Sequence, residues 1–311
     1  MDELEAACRG GTCMTIGVFD AVHRGHQMVI RRARDQARMR ALKSLVFTFE
    51  QHPLALIAPA YCPPALTQPE EKARLIGQLE IDLCLMLRFT PEIAAIPAEE
   101  FIDDVIARRC QARYITCGWN FSFGAGGRGN TQLLRQRGKE LQFDVEILDP
   151  MSESSSPISS TRVREHLLEG RVEDAPKFLQ RRYGFEAEVV PGHQRGRQIG
   201  YPTANLRPPA NQLIPADGVY AVLARVGDRA YGAMMNIGRR PTFEGAGRAI
   251  EAHLFDFSGD LSGQRVWIDF ISRVREEKRF GSVEELVAQL RRDEEACRRI
   301  YDVSQTEGMP K

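Results

Sequence analysis

The sequence predicts an α/β domain built on a doubly wound parallel sheet, followed by a small antiparallel β-barrel domain with a C-terminal helix. The 311 residues suit two domains at roughly 100–200 residues each. Strand-like and helix-like patterns alternate in the first half, which implies crossover connections between parallel strands. Later strand-like runs follow one another without helical patterns between them, which favours an antiparallel barrel. We place the domains at residues 1–180 and 181–311.

The elements of the first domain are read from the spacing of their apolar residues. In the first helix, apolar side chains recur at helical spacing from Val29 to Ala37, between arginines. We expect strands at residues 12–19, 44–49, 83–87, 113–117 and 143–148. We expect helices at residues 25–42, 69–79, 98–109, 159–169 and 172–180, with a serine-rich loop at 151–157.

The second domain shows strand patterns separated by Gly, Pro and Asp. We expect strands at residues 185–190, 218–226, 230–237, 250–257 and 265–271. The chain ends in an amphipathic stretch at 282–300, where Val283, Leu286 and Leu290 share one face. This stretch is predicted to be the C-terminal helix.

Composition excludes several classes of protein. Lys and Arg number 42, and so do Asp and Glu, so the chain lacks the cationic excess that phosphate-backbone binding needs. No apolar run reaches the ~18–20 residues of a membrane span, and the polar start does not resemble a signal peptide. The seven cysteines form no C-x-x-C pair, which favours reduced thiols. We expect a cytoplasmic protein that binds neither membrane nor nucleic acid.

The first motif, at residues 15–27, is TIGVFDAVHRGHQ. A predicted strand ends at Phe19, and a helix begins near Gly25, where the backbone can approach a ligand closely. A helix N-terminus binds phosphate through free N–H groups and its dipole. His23 and His26, three residues apart, can donate hydrogen bonds to developing phosphate charge. The alternatives are two surface histidines or an incomplete metal pair.

A glycine-rich segment at residues 116–131 reads TCGWNFSFGAGGRGNT. Gly124, Gly126 and Gly129 match G-x-G-x-x-G, and the same stretch nearly matches a P-loop. Both motifs require glycines directly after a strand, whereas the stretch from Trp119 to Phe123 intervenes here. We therefore reject both interpretations. A plain flexible loop remains the alternative.

Two further motifs carry hydroxyls beside arginines or a proline. Residues 157–164 read PISSTRVR. Helix capping explains the hydroxyls. It does not explain two arginines in a first turn, because the helix dipole disfavours cations there. Bound polyphosphate would explain the arginines.

Residues 192–206 read GHQRGRQIGYPTANL. Thr203 and Asn205 offer the hard oxygen ligands that Mg²⁺ prefers, although turn chemistry alone also accounts for this segment.

The first motif resembles the H-x-G-H nucleotidyltransferases, and its extended form resembles the adenylyltransferase half of prokaryotic bifunctional FAD synthetases. The resemblance spans about residues 13–301. It implies catalysis by His23 and His26. It implies nucleotide binding by Gly17, Phe19, Asp20, Gly25, Asn120, Ser159, Ser160, Thr161, Arg162 and Arg164. The family also carries a G-x-[ND]-F-x-F-G segment that lines the adenylyltransferase site, and Asn120, Phe121, Phe123 and Gly124 match it. Ala21 departs from the glycine that the family usually has, which is tolerable unless the turn needs a positive φ.

The second half is similar to riboflavin kinases, whose signature is GRxxGxPTAN. The resemblance implies that Glu251 is the general base and that Thr203 and Asn205 hold Mg-ATP. A lone glutamate in a strand is otherwise an exposed face residue. Further ATP or flavin contacts are expected at Gly196, Arg197, Gly200, Pro202, Asn236 and Arg275. Ser262 replaces a residue that is often aromatic in the family.

The sequence therefore predicts a bifunctional flavin enzyme that phosphorylates riboflavin to FMN and then transfers an adenylyl group from ATP to FMN. ATP is the co-substrate, Mg²⁺ the cofactor, and FMN and FAD the products. We expect a monomer or a weak homo-oligomer. The alternatives are an enzyme with one inactive domain and a flavin-binding carrier without turnover.

Overall fold

The structure is a computed structural model that describes residues 2–192, 196, 199–239 and 248–306. Its contacts form two compact units, Met1–Ser160 and Thr161–Lys311. The division falls earlier than the predicted boundary at 180, because the helices between these points pack with the barrel. The Ala216 amide, for example, donates to the Leu167 carbonyl at 3.1 Å.

The first unit contains nine short or medium strands among its described residues. They are β1 (Thr12–Ile16), β2 (Lys43–Phe49), β3 (Leu83–Leu87), β4 (Ala112–Gly118), β5 (Ser122–Phe123), β6 (Gly129–Asn130), β7 (Asp144–Leu148), β8 (Ser152–Glu153) and β9 (Ser156–Pro157). The helices are α1 (Asp2–Ala7), α2 (Arg24–Arg40), α3 (Leu54–Ile57), α4 (Pro69–Gly77), α5 (Pro91–Ala95), α6 (Ala98–Glu100) continued by a π-helix (Phe101–Arg109), and α7 (Thr131–Leu141).

Five of these strands form a parallel sheet in the order β3-β2-β1-β4-β7. Residues of alternating strand positions face opposite sides of the sheet. Met14 and Ile115 pack in a cluster with Ile102 of the π-helix, whereas Val46 packs in another with Ile30 of α2. Helices therefore cover both faces, and the predicted doubly wound architecture is confirmed.

The glycine-rich segment is an ordered hairpin, not a phosphate-binding loop. β5 pairs with β6 antiparallel, with Phe123 opposite Gly129. The Asn130 side chain then caps α7, because its Oδ1 accepts from the amides of Gln132 and Leu133 at 3.0 and 2.9 Å. The segment therefore supports the start of a helix that the sequence analysis did not predict.

The second unit is a closed antiparallel barrel in the order β10-β11-β14-β13-β12-β15. Its strands are β10 (Gly184–Val190), β11 (Ala204–Arg207), β12 (Gly218–Val226), β13 (Arg229–Arg239), β14 (Arg248–Leu254) and β15 (Arg265–Arg275). Its helices are α8 (Ser160–Leu168), which begins at the unit boundary, α9 (Ala175–Leu179) and α10 (Val283–Thr306). The predicted barrel and C-terminal helix are confirmed. β11 was not predicted, because four residues after a proline are too short for a visible alternation.

The outer face of the barrel is partly covered by α10. Val219 and Met234 on the strands pack in one cluster with Cys297 of this helix. The Asp293 carboxylate of α10 is buried and accepts from the Arg275 guanidinium at 2.7 Å. Within the described ranges no helix is both long and apolar enough to cross a membrane.

Candidate active sites

A cavity of about 610 Å³ lies in the first unit, at the carboxyl ends of its parallel strands. Its lining includes residues that follow β1, β2, β3, β4 and β7: Gly17–Phe19, His52–Leu54, Phe89, Trp119–Gly124 and Asp149–Met151. Ligands of open α/β sheets bind at this edge. They bind where the chain connections that leave two neighbouring strands run in opposite directions along the sheet. The order β3-β2-β1-β4-β7 puts that point between β1 and β4.

His23 and His26 meet at the start of α2 and both line this cavity. The Nδ1 atom of His23 accepts from the His26 amide at 3.3 Å, so His23 caps the helix. The two imidazole rings stack with their centroids 3.5 Å apart. Gly25 leaves room between them, since a Cβ atom there would lie only 3.2 Å from the His23 ring. The imidazoles and the positive end of α2 therefore share one wall of the cavity.

The turn that carries these histidines is strained. Phe19, Ala21 and Val22 have φ angles of 50°, 73° and 45°, in the left-handed region that L residues with a Cβ rarely adopt. Ala21 thus stands where the backbone favours glycine, and its methyl group is buried. The turn does need the positive φ that would make an alanine costly. Backbone strain of this kind is common at functional sites.

Asp20 holds this turn from behind. Its carboxylate accepts from the amides of Leu66 and Thr67 at 3.0–3.2 Å, and from the Thr67 hydroxyl at 3.1 Å. Ser160 donates from its hydroxyl to the Asp20 carbonyl at 2.9 Å. Asp20 is not among the residues that line the cavity. The structure therefore gives this side chain a supporting position, although the motif predicts nucleotide binding.

Other predicted residues divide between the two units. Gly17, Phe19, Gly25, Asn120, Ser159 and Ser160 line the cavity with the two histidines. Thr161, Arg162 and Arg164 belong to the second unit, in the first turns of α8. There the Arg162 guanidinium lies 5.0 Å from the centre of the Phe178 ring. A phosphate-binding role for these three residues remains a prediction.

The resemblance predicted only Phe121 and Phe123 of the aromatic side of the cavity. Phe49 packs edge-on against Phe89, with centroids 5.2 Å apart. Phe101 and Phe121 each contact Phe123, at 5.8 and 5.2 Å. All five rings line the cavity. The sequence signal was an aromatic residue at or just beyond the ends of three predicted strands. Together these rings form an apolar surface suited to a flat ring system.

A buried lysine was also missed. Lys72 of α4 is only 2% exposed, and its ammonium donates to the Phe49 carbonyl at 2.6 Å. Burial lowers its pKa, and the negative charge of Asp20 opposes that shift. Lys72 thereby ties the end of β2 to the helix behind the cavity.

The second unit holds its candidate residues on the outer face of the barrel. Glu251 of β14 lies opposite Asn205 of β11 and opposite Asn236 of β13. The Thr203 hydroxyl lies 3.5 Å from the Glu251 carboxylate. Ala252 and Leu254 alternate with this face and are buried. The sequence could not say which face of β14 carries the candidate site; in the structure Glu251 shares its face with the two asparagines.

The segment before β11 is folded tightly. The Tyr201 amide donates to the Gly196 carbonyl at 2.8 Å. A Cβ atom on Gly196 would lie 2.1 Å from the Tyr201 carbonyl oxygen, so only glycine fits there. Gly200 has a φ angle of 85°, and Pro202 follows. Arg197, also predicted to bind ATP or flavin, lies outside the described residues.

The donor set of this face suits magnesium held jointly with substrate phosphates. Thr203 and Asn205, the predicted metal ligands, supply a hydroxyl and an amide oxygen. In the described part of the chain, no group of three or more His, Cys, Asp or Glu side chains could hold a metal ion. Mg²⁺ takes an octahedral set of oxygen ligands, so phosphate and water oxygens would have to complete the set that Thr203 and Asn205 begin.

Arg275 and Ser262 have local partners. Three contacts of 2.7–3.1 Å join the Arg275 guanidinium to the buried Asp293 carboxylate. This ion pair joins α10 to the barrel. The sequence predicted an ATP or flavin contact for Arg275 and not this structural role. Ser262 donates from its hydroxyl and its amide to Asp260, at 2.6 and 2.9 Å, in an exposed turn.

Two family models match the chain in succession. The model described as FAD synthetase matches residues 5–162, and the model described as riboflavin kinase matches residues 179–301. A bifunctional riboflavin kinase/FMN adenylyltransferase from Escherichia coli K12 is 36% identical over 97% of this chain and 96% of its own length. A protein of the same description from Bacillus subtilis is 32% identical over 93% of this chain and 92% of its own.

A solved structure has the same fold. It is described as a macrolide-efflux protein from Streptococcus pneumoniae, and it superposes with a TM-score of 0.84 at 33% identity, over 93% of this chain and 94% of that one. The two family models follow the two compact units in order. This chain therefore belongs to the bifunctional riboflavin kinase/FMN adenylyltransferase family.

Proposed function

We propose that this chain makes FAD in two steps, each carried out in one compact unit. The second unit transfers the γ-phosphate of ATP to the 5′-hydroxyl of riboflavin, which yields FMN and ADP. The first unit then joins FMN to the AMP part of a second ATP, which yields FAD and pyrophosphate. We further propose that the enzyme is cytoplasmic, uses Mg²⁺ as cofactor and acts as a monomer or weak homo-oligomer.

The observation that carries the kinase step is the row formed by Asn205, Glu251 and Asn236 across three strands. A primary hydroxyl must lose its proton as it attacks a phosphate, and a placed carboxylate can accept it. Glu251 is half-buried and has Thr203 beside it. Magnesium, when bound with ATP, would neutralise charge on the transferred phosphate. Thr203 and Asn205 would hold the metal and so orient the phosphate.

The adenylyl transfer uses the cavity of the first unit. The FMN phosphate attacks the α-phosphorus of ATP, the bond to the β-phosphate oxygen breaks, and pyrophosphate leaves. His23 and His26 face the cavity from the N-terminus of α2. They donate hydrogen bonds to the charge that builds on the transferred phosphate, and the helix dipole adds to this stabilisation. The phenylalanine rings of the same cavity offer an apolar surface for a flavin or adenine ring.

The experiment is direct. The protein is incubated with riboflavin, ATP and MgCl₂, and riboflavin, FMN and FAD are separated by chromatography. The proposal predicts FMN first and FAD later. FMN without FAD would leave only the kinase step. Unchanged riboflavin, together with tight flavin binding, would replace the proposal with a carrier that has no turnover.

A further inference from the structure

One histidine on the outer face of the barrel has no role in the proposed chemistry. His253 lies two residues after Glu251 on β14, so both side chains project from the same face. The His253 Nδ1 atom lies 2.8 Å from the carbonyl oxygen of Pro202. A carbonyl oxygen only accepts hydrogen bonds, so Nδ1 carries the proton and donates it.

Aromatic neighbours hold the His253 ring in place. Its centroid lies 5.4 Å from that of Tyr201 and 6.1 Å from that of Phe255, both in edge-on contact. Tyr201 is itself buried, with 9% of its surface exposed. These contacts accompany the bond from Nδ1 to Pro202.

The Pro202 carbonyl sits directly before Thr203. Ladder pairing of β11 with β14 runs through Ala204 and Asn205, so the described pairing between these two strands begins just after Thr203. The Thr203 hydroxyl is 3.5 Å from Glu251. The position of this hydroxyl thus depends on the peptide that His253 holds.

We propose that His253 is a positioning residue of the kinase site: its Nδ1–H fixes the Pro202 carbonyl and so holds the Thr203 hydroxyl beside Glu251, ready for Mg-ATP. This inference rests on the proposed function of the second unit. Outer partners that orient the ligands of a metal site typically contribute about 10–100-fold to metal affinity. His253 acts on Mg-nucleotide binding through Thr203, without touching the reacting atoms.

A pair of amide substitutions separates the two ring nitrogens. In His253→Asn, the side-chain NH₂ occupies the place of Nδ1 and keeps a donor toward Pro202. In His253→Gln, the NH₂ occupies the place of Nε2 and the Nδ1 donor is lost. Both variants are polar and uncharged, so they differ mainly in which nitrogen they replace.

The first readout is steady-state phosphorylation of riboflavin by the full chain. We expect His253→Gln to raise the KM for Mg-ATP about tenfold, the low end of the range for such partners, with a smaller change in kcat. His253→Asn should stay within about twofold of the wild type, since it keeps the hydrogen bond. FAD formation from added FMN should be unchanged in both variants.

The second readout does not depend on activity. The chain has two tryptophans, Trp119 in the first unit and Trp267 on β15. In a Trp119→Phe background, Trp267 fluorescence therefore reports unfolding of the barrel. Mg-ADP should raise the unfolding temperature, because it binds the folded state. The Mg-ADP concentration that gives a fixed rise in unfolding temperature scales with the dissociation constant, so it should be about tenfold higher in His253→Gln and unchanged in His253→Asn.

Each outcome is decisive. Unfolding temperatures without nucleotide identify any variant that is merely less stable, and the Mg-ADP titration is read relative to that value. Equal behaviour of His253→Gln and wild type overturns the inference, and so does equal damage in both variants, which would mean that the whole ring contacts the nucleotide. A wild type that binds Mg-ADP but leaves riboflavin unchanged would refute the proposed kinase function, and the titration would still test His253.

Discussion

The two units hold their candidate catalytic groups in different ways. In the first, His23 and His26 stand at the end of a strained turn after β1, where three residues have positive φ angles. In the second, Glu251 and its asparagine neighbours project from the middle of paired strands. A ladder fixes side-chain direction through regular backbone bonds. The turn instead depends on individual contacts such as those of Asp20.

This difference means that substitutions should act separately in the two units. A change on the barrel face should alter the chemistry of the kinase step and leave the backbone in place. A change in the turn should alter both the chemistry and the local stability of the first unit. The substitutions below test this contrast, from the largest expected effect to the smallest.

Glu251→Gln should give the largest effect. The amide keeps the shape of the side chain but cannot accept the proton of the riboflavin hydroxyl. General-base catalysis typically contributes about 10²–10⁴-fold, so the rate of riboflavin phosphorylation should fall by that order, measured as FMN formed per unit time. FAD formation from added FMN should remain normal. Glu186→Gln, which removes an exposed barrel carboxylate paired with Arg265, is the matched control and should change neither rate.

The histidines should come next. His23→Ala and His26→Ala should each slow FAD formation about 10²–10³-fold, as the loss of a transition-state donor does elsewhere, while FMN accumulates. His23→Ala also removes the cap of α2, which costs about 1 kcal/mol. His23→Asn separates the two effects, because asparagine caps the helix well but lacks the imidazole. A His23→Asn protein that makes FAD at the normal rate would contradict the assigned chemistry.

The barrel should fold alone in a fragment that begins at Thr161, the first residue of the second compact unit. Val172 and Phe178 are buried in the second unit. Removing a large buried side chain costs about 3–5 kcal/mol. A fragment of residues 161–311 should therefore unfold at a clearly higher temperature than one of residues 183–311, and it should convert riboflavin to FMN. Equal unfolding temperatures would show that the helices before residue 180 add nothing to the barrel.

The smallest effect concerns Ala21. A left-handed conformation costs an L residue roughly 1–2 kcal/mol, while glycine loses about 0.4–1 kcal/mol through greater freedom of the unfolded chain. Ala21→Gly should therefore stabilise the first unit by about 1 kcal/mol or less, measured by thermal unfolding. Ala41→Gly is the matched control, since Ala41 has a φ angle of 52° at the end of α2, far along the chain from the histidines. If Ala21→Gly lowers the unfolding temperature, packing of the alanine methyl group contributes more stability than the left-handed backbone removes.

Periodicity predicted the fold well and the site only in part. Strand β3 was predicted at its observed bounds, because a five-residue apolar run between polar segments leaves little choice. β11 and α7 were missed, since the first is too short to show a period and the second begins at a capping asparagine inside a glycine-rich stretch. The motifs assigned His23 and His26 to one site and Asn205 and Glu251 to another, and the structure places the members of each pair side by side; their roles stay predictions. The motifs could not show that Asp20 bonds to Leu66 and Thr67, because such contacts join distant parts of the chain.

The central claim is that two separate sites act in turn through free FMN. It is tested most directly by mixing two variants that are each impaired in one step, Glu251→Gln and the double variant His23→Ala/His26→Ala, with riboflavin, ATP and MgCl₂. Alone, the first should leave riboflavin unchanged and the second should stop at FMN. Mixed, they should make FAD after a lag, because FMN released by one protein is adenylylated by the other. No FAD from the mixture, when the Glu251→Gln protein still converts added FMN, would contradict the account.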